Sequence, residues 1–171
     1  MRVYLGFLLS FFLSGCLGLP EGVHPVKEFD LNKYLGKWYE IARLDHSFER
    51  GLDGVTAEYS LRDDGGVRVI NKGFSIEENK WKEAEGKAYF VRDRDEGYLK
   101  VSFFGPFYGS YVVFELDTDK YQYAFVTSSK TSYLWLLSRT PSVSNELVER
   151  FVERSKELGF VTDNLIFVEH N

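Results

Sequence analysis

The sequence predicts an all-β fold, an antiparallel meander of eight strands followed by one α-helix. Eight short runs are rich in β-branched and aromatic residues, which are enriched in strands. Turn-forming residues separate these runs, mostly by links of hairpin length. After the eighth run, a single stretch carries its apolar residues at helical spacing. A sheet of this kind either stacks on another sheet or closes on itself.

The chain begins with the features of a secretory signal. Met1 and Arg2 form a short positive start, and residues 3–13 are almost wholly apolar. This run is shorter than the roughly 20 residues that a membrane-spanning helix needs. A transmembrane anchor is therefore the weaker interpretation.

Cys16 is the only cysteine in the chain, so an internal disulfide is excluded. Together with the small residues before it, residues 13–16 resemble the lipobox of bacterial lipoproteins, in which the cysteine thiol receives a diacylglyceryl group. The alternative is an ordinary signal cleaved nearby, which would leave a free thiol in an oxidising compartment. We expect residues 1–15 to be a lipoprotein signal peptide and Cys16 to be lipidated.

The residue after the cysteine bears on location. In proteins with this signal, an aspartate at that position retains the protein at the inner membrane, and here Leu17 follows instead. The resemblance therefore implies lipid anchoring at the periplasmic leaflet of the outer membrane.

The N-terminal part of the mature chain is rich in chain-breaking residues. Residues 17–36 carry two prolines and several glycines, which is typical of a tether. We assign residues 16–33 to the lipidated N-terminus and tether, and residues 34–171 to a single folded domain.

The strands and turns follow in order along this domain. The predicted strands are residues 37–44, 55–61, 67–73, 81–91, 98–104, 111–116, 121–127 and 133–138. The clearest turns between them are residues 62–66, 92–97, 117–120 and 128–131.

One helix is predicted after the eighth strand. Ser144 can cap its start and Gly159 can end it. The apolar stripe between them consists of Leu147, Val148, Phe151, Val152 and Leu158. Because the stripe is one-sided, the helix is expected to pack against the outside of the sheet. Residues 165–168 are predicted as a last short strand.

Two motifs on these elements resemble those of the lipocalins. Residues 36–38, Gly-Lys-Trp, match the motif on the first lipocalin strand, and residues 138–141, Ser-Arg-Thr-Pro, match the arginine motif after the eighth. Residues 36–51, 61–66, 101–109 and 133–141 look specifically like the bacterial lipocalin lipoproteins of the Blc type. The resemblance implies an eight-stranded antiparallel up-and-down barrel with one C-terminal helix packed outside.

One departure from the family is visible in the turn before the seventh strand. Where lipocalins have Thr-Asp-Tyr, this chain has Thr118, Asp119 and Lys120, with Tyr121 one place late. The departure weakens the local match without affecting the fold that the other motifs imply.

Trp38 and Arg139 are far apart in the chain and would meet only if the first and eighth strands are neighbours. A guanidinium over an indole face gains about 0.5–2 kcal/mol. In the family that this chain resembles, the pair seals the closed end of the barrel. We therefore assign Gly36, Trp38 and Arg139 a structural, barrel-closing role.

The inward residues follow from the position of Trp38. With Trp38 inside the barrel, period-two alternation also places Glu40, Ala42 and Leu44 inside. Matching the other strands to the family extends the set. The predicted ligand-pocket residues are Ala42, Leu44, Ala57, Tyr59, Val69, Asn71, Ala84, Ala88, Phe90, Val101, Phe103, Val126, Tyr133, Trp135 and Leu137. The sixth strand is apolar on both faces, so its inward residues are not predicted.

Small inward residues leave space and aromatic ones wall it, which favours a cavity for one small ligand over a packed core. The inward carboxylate of Glu40 supports the same choice, since a dry and fully packed barrel would have to bury it. The resemblance implies a fatty acid or a lysophospholipid as the ligand.

The connections at the mouth supply further candidates. His46 and Arg50 lie in the large first loop, where they are candidate contacts for a phosphate or carboxylate head group. Residues 103–109 concentrate aromatic side chains in one link. This link suits three roles that the sequence does not separate: a wall of the mouth, a membrane contact or a homodimer interface.

Several function classes are disfavoured. The formal net charge of −5 argues against a nucleic-acid partner. His24, His46 and His170 form no metal-ligand spacing, and no Gly-x-Ser-x-Gly motif occurs. We expect no metal, no cofactor and no enzymatic activity, and we predict membrane-anchored carriage of a hydrophobic ligand. The alternatives are a filled-barrel scaffold that presents loops to a protein partner and, less favoured, a lipid-modifying enzyme.

Overall fold

The computed structural model of the protein describes residues 17–170, so the predicted signal peptide and Cys16 lie outside the described residues. The strands are β1 Gly36–Arg43, β2 Leu52–Leu61, β3 Val67–Ser75, β4 Lys80–Phe90, β5 Tyr98–Ser102, β6 Gly109–Leu116, β7 Tyr123–Thr127, β8 Leu134–Ser138 and β9 Ile166–Phe167. The helices are α1 Leu31–Tyr34 and α2 Asn145–Glu157. None of the helices in this part of the chain is long and apolar enough to span a membrane.

The first eight strands close into an antiparallel barrel, as predicted. Each pairs with the next along the chain from β1 to β8, and β8 also pairs with β1. β9 lies on the other side of β1, where Ala42 faces Phe167. Each barrel strand has two neighbours, so the barrel lacks the two edges of an open sheet, although residues 80–86 of β4 have a partner strand on one side alone.

The barrel has two distinct ends. The connections at residues 62–66, 91–97 and 117–122 lie at one end, called here the closed end. Those at residues 44–51, 76–79, 103–108 and 128–133 lie at the other, called the open end. The antiparallel up-and-down order alone produces this division, since successive connections alternate between the ends.

A β-bulge in β1 changes which of its residues face the interior. Glu40 pairs with Leu137 of β8 and Ala42 pairs with the next residue, Leu136, so Ile41 is the extra residue. The prediction that Ala42 and Leu44 line the pocket was therefore wrong. Both belong to the apolar cluster beneath helix α2, outside the barrel.

Two apolar clusters lie on opposite sides of the barrel wall. One fills part of the interior around Trp38, Val113 and Ala124. The other lies between the wall and helix α2, around Phe125 and Phe151. β6 contributes to both, which settles its orientation: Tyr111, Val113 and Leu116 face in, and Val112 and Phe114 face out.

Helix α2 packs outside the barrel, as predicted. The Ser144 side chain accepts a hydrogen bond from the Leu147 amide, and Gly159 adopts a left-handed conformation after the helix end. The Phe151 ring is fully buried against Phe125, with ring centroids 5.0 Å apart. Arg150 adds an ion pair of 2.9 Å to Glu115 on β6.

The described part of the segment assigned to the tether is packed against the barrel. Val23 and Phe29 are buried, and the Val26 amide donates a hydrogen bond to the Val113 carbonyl. Helix α1 ends this segment and places Tyr34 in the interior cluster. The chain thus runs along the outside of the barrel from the open end to the closed end before β1 begins.

Candidate functional site

The closed end of the barrel is sealed around Trp38. The Arg139 guanidinium carbon lies 3.9 Å from the centroid of the Trp38 ring. Arg139 also donates hydrogen bonds to the carbonyls of Lys33 and Lys37 at 2.7 and 2.9 Å. Gly36 has a φ of 92°, a left-handed conformation that would be strained in a residue with a side chain. Burial lowers the pKa of Arg139, but the guanidinium still carries its charge at neutral pH.

Most of the predicted pocket residues face the barrel interior. Those in or packed against the interior cluster are Ala57, Tyr59, Val69, Ala88, Phe90, Val101, Phe103, Val126, Trp135 and Leu137. Tyr133 precedes β8, and its ring stacks on Trp135 with centroids 6.0 Å apart. The interior therefore combines a mainly apolar wall with a few polar groups, as small-molecule sites do.

One row of paired residues crosses the wall and marks where the interior opens. Trp38 pairs with Ala57, Ala57 with Asn71 and Asn71 with Ala84, and directly paired side chains share a face of the sheet. Trp38 is fully buried, Ala57 and Asn71 are half-buried, and Ala84 is exposed. All of these point inward, and exposure rises along the row towards Ala84, which lies on the part of β4 that β5 does not cover.

The wall is also incomplete beside this row. The ladder between β4 and β5 begins only at Lys87, so the first part of β4 runs past β5. The Phe103 ring lies against Gly86, where a Cβ atom would approach it to 2.8 Å. A depression of about 200 Å³ lies beside them on the outer surface, where Glu85 and Lys87 also line it. Val101 and Phe103 remain half-buried at this place.

A buried polar cluster lines the side of the interior formed by β1 and β8. Because of the bulge, Arg43 faces in, where its Nη1 donates to Glu40 at 2.8 Å. Glu49 reaches in from the first loop and accepts a hydrogen bond of 3.1 Å from Trp135 Nε1. His46 Nε2 lies 3.0 Å from Glu49 Oε2.

Glu40 and Glu49 lie close together, and their acidities differ. Burial, together with the charge of Glu49, raises the pKa of Glu40 well above its ordinary value. Burial opposes ionisation of Glu49 too, but hydrogen bonding and charge from His46 leave the pKa of Glu49 below its ordinary value. Glu49 is therefore the more acidic member of the pair, and it loses its proton at a lower pH than Glu40 does.

Three tyrosine hydroxyls form a second polar group nearer the closed end. The Tyr111 hydroxyl lies 2.7 Å from that of Tyr34 and 2.8 Å from that of Tyr59. Burial raises the pKa of all three residues, so they remain neutral. This triad forms a polar floor beneath the apolar wall.

The predicted head-group residues have different surroundings. His46 is buried against Trp135, with ring centroids 5.1 Å apart, and its Nδ1 has no hydrogen-bond partner among residues 17–170. Arg50 is exposed and pairs with Asp45 at 2.7 Å. The structure thus brings His46 into the interior cluster and leaves Arg50 on the surface.

Four polar residues of the interior were not predicted as site residues, and one of them is Tyr111 on β6, the strand whose inward residues were not predicted. Arg43 was missed because nothing in the apolar run around Ile41 signals a bulge. Glu49 has the sequence context of an ordinary loop residue. Tyr34 was assigned to the start of the domain. The only sequence signal that connects it to the interior is its position two residues before the Gly-x-Trp motif.

Comparisons with known proteins agree with this geometry. The Lipocalin-like domain family matches residues 29–170. The outer membrane lipoprotein Blc of Vibrio cholerae is 64% identical over 169 residues, which cover 99% of each chain. The outer membrane lipoprotein Blc of Escherichia coli K12 is 51% identical over 150 residues, covering 88% of this chain and 84% of that one. The structure of insecticyanin from the tobacco hornworm matches with a TM-score of 0.71 at 23% identity, over 90% of this chain and 87% of the other.

Proposed function

We propose, because this chain belongs to the lipocalin family, that its barrel takes up a fatty acid or a lysophospholipid and carries it in the outer-membrane envelope. Lipocalins are generally binding and transport proteins, and reversible burial of the hydrocarbon chain is the mechanism. Apolar surface removed from water stabilises such a complex by about 25 cal/mol per Å², before the costs of association.

One observation carries the proposal: inward apolar residues of the wall keep solvent access. Ala57 and Val101 are half-buried and Ala84 is exposed, although all three face the interior. A barrel filled by its own side chains would bury them. We therefore propose that the open half of the barrel forms a cup above the filled closed end.

The polar cluster suggests where a head group binds. Arg43 Nε lies 4.0 Å from Glu49 Oε2 and makes no hydrogen bond among the described residues. His46 Nδ1 and Asn71 Oδ1 are similarly unsatisfied. Buried polar atoms are costly to leave without partners, so a carboxylate or phosphate could accept from Arg43 Nε and a glycerol hydroxyl could donate to Asn71 Oδ1.

The proposed membrane location rests on the N-terminal residues of the chain. We propose that residues 1–15 are removed, that Cys16 is lipidated and that the anchor holds the protein at the periplasmic leaflet of the outer membrane. The names of the Vibrio cholerae and Escherichia coli relatives, which describe outer membrane lipoproteins, support this placement.

The test is a ligand titration of delipidated residues 17–171. Tryptophan fluorescence is followed during addition of a lysophospholipid or the matching fatty acid, and Trp135→Phe identifies the responding side chain. We expect saturable quenching at one ligand per chain. No response in folded protein would favour the filled-barrel scaffold, and release of a hydrolysed product would indicate an enzyme.

A substitution in the wall makes the same test specific to the cup. Ala84→Trp should weaken binding by about tenfold or more, because the indole occupies the space that the ligand needs. Glu83→Trp adds the same group on the outward face of β4 and should leave the affinity unchanged. Equal affinities for both variants would contradict binding inside the barrel.

A further inference from the structure

Four exposed apolar side chains surround the open end of the barrel. Phe48 lies in the β1–β2 connection and Ile76 in the β3–β4 connection, each with 67% of its surface exposed. Phe104 and Phe107 lie in the β5–β6 connection and are 72% and 73% exposed. We call these four the rim residues. Single exposed apolar side chains need no explanation, but a group drawn from three connections at one end does.

The charges at this end are few and partly neutralised. Residues 101–114, which include the β5–β6 connection, contain no charged side chain. In the β1–β2 connection, Arg50 pairs with Asp45 at 2.7 Å. Glu78 pairs with Lys80 and Lys82 beside Ile76. Glu77 and Lys130, of opposite sign, are the other exposed charged residues of the open-end connections. The rim residues can therefore leave water without carrying a large uncompensated charge with them.

The described chain also begins at this end. The Ser110 hydroxyl, at the start of β6, donates a hydrogen bond of 2.9 Å to the Gly18 carbonyl. Gly18 also lies beside Ser129 in the β7–β8 connection. Leu17 is exposed and is the residue next to Cys16 in the chain. A lipid on Cys16 would thus be attached beside the rim residues and not at the closed end.

From the exposed rim residues, the few charges around them and the position of Gly18, we infer that the open end of the barrel faces the anchoring membrane. The rim residues then insert into the lipid surface. The inference rests on the proposed lipidation of Cys16 and deepens the proposed function. Aromatic side chains with few charges around them partition into the interface of a bilayer. A lipid then moves from the bilayer into the cup without crossing open water.

Orientation is tested with the full lipidated chain in vesicles of phosphatidylethanolamine and phosphatidylglycerol. The thioether of a lipidated Cys16 does not react with thiol probes, so an added cysteine is labelled alone. Phe107→Cys places a fluorophore at the open end, and Asp63→Cys places it at the closed end. We expect nitroxide-labelled lipids to quench the probe at 107 and not the probe at 63. Equal quenching at both positions, or quenching at neither, would overturn the inference.

Transfer is tested with a double variant, Phe104→Ser with Phe107→Ser. Its initial rate of lysophospholipid uptake from vesicles should fall by about tenfold or more, because two apolar contacts with the bilayer are lost. Its affinity for the same lipid added as monomers should be unchanged. The matched control is Leu61→Ser with Val161→Ser, which removes two exposed apolar side chains away from the rim.

The outcomes separate this inference from the proposals beneath it. If the parent chain does not bind monomeric lysophospholipid, the proposed ligand is wrong. The quenching result would still report the orientation of the barrel. A Cys16→Ala chain that still fractionates with the outer membrane would refute the anchor. Unchanged uptake by the double variant, or a dimer that the double substitution dissociates, would overturn the membrane contact of the rim residues.

Discussion

The Arg139 side chain combines a ring contact with backbone hydrogen bonds. Its guanidinium covers Trp38 and donates to the carbonyls of Lys33, Leu35 and Lys37. These carbonyls precede or begin β1, so one side chain from the end of β8 holds the entry of the chain into the barrel. Few other side chains present enough donors in a suitable geometry.

Arg139→Ala should lower the free energy of unfolding by about 2–3 kcal/mol, because carbonyls lose charged donors and the indole loses its cation. Urea denaturation measures the change. Arg68→Ala is the control, since its pair with Glu85 is exposed and worth about 0–1 kcal/mol. Similar losses in both variants would contradict the sealing role of Arg139.

The carboxyl of Glu40 makes stability depend on pH in a defined direction. Its pKa is raised in the native state, so the native protein binds this proton more tightly than the unfolded chain. The free energy of unfolding should therefore fall as pH rises from the ordinary value of 4.5 towards the raised one, by at most about 1.4 kcal/mol per pH unit. Glu49 has a lowered pKa and acts oppositely, removing stability as pH falls below its ordinary value.

Glu40→Gln should flatten the decline on the alkaline side and leave the acid-side loss from Glu49 in place. Denaturation midpoints across pH report both limbs. Glu83→Gln, on the exposed part of β4, should reproduce the parent profile. A Glu40→Gln profile that still declines above pH 4.5 would assign the effect to another group.

Helix α2 stabilises the fold from outside the barrel and contributes no residue to the proposed ligand site. Phe151 is fully buried against Phe125, on the outer side of the wall. Phe151→Ala should therefore cost about 3–5 kcal/mol of unfolding free energy. Glu149→Ala, on the exposed face of the same helix, should change it by less than about 0.5 kcal/mol.

Ligand affinity is the second measurement on these helix variants. Phe151 lies outside the barrel, so the folded Phe151→Ala protein should bind as tightly as the parent chain. Weaker binding at temperatures where the variant is fully folded would place the helix in contact with the ligand site.

Strand β1 serves both sides of the wall because of its bulge. Before Ile41, its inward residues are Trp38 and Glu40, and after it the inward residue is Arg43. Without the extra residue, Arg43 would lie under the helix and Ala42 in the cup. Both arrangements bury mostly apolar side chains, which is why alternation alone did not distinguish them.

The architecture of the molecule was largely predictable from local patterns. Eight runs with strand composition, the turns between them and the capped helix after Ser144 all have physical causes that lie within a few residues. Barrel closure needed one distant pair, Trp38 and Arg139. The inward residues of most other strands came from matching them to the family, whereas alternation from Trp38 placed Ala42 and Leu44 on the wrong side.

The polar interior depended on contacts that no local pattern encodes. Glu49 and His46 enter the cup because the first loop folds back against Trp135. The packing of Val23 and Phe29 against the barrel depends on surfaces formed by strands much later in the chain. Such contacts are decided by tertiary structure, where turn and strand propensities have little weight.

The seating of the N-terminal segment limits how far an anchored molecule can travel. Gly18 is held by Ser110 and Val26 by Val113, so only residues 16 and 17 separate a lipidated thiol from the first fixed contact. At about 3.5 Å per residue, the chain between the lipidated residue and Gly18 spans about 7 Å. While these contacts hold, an anchored barrel of the proposed kind would exchange lipid with its own membrane, and transfer to a second membrane would require either a detached N-terminal segment or another carrier.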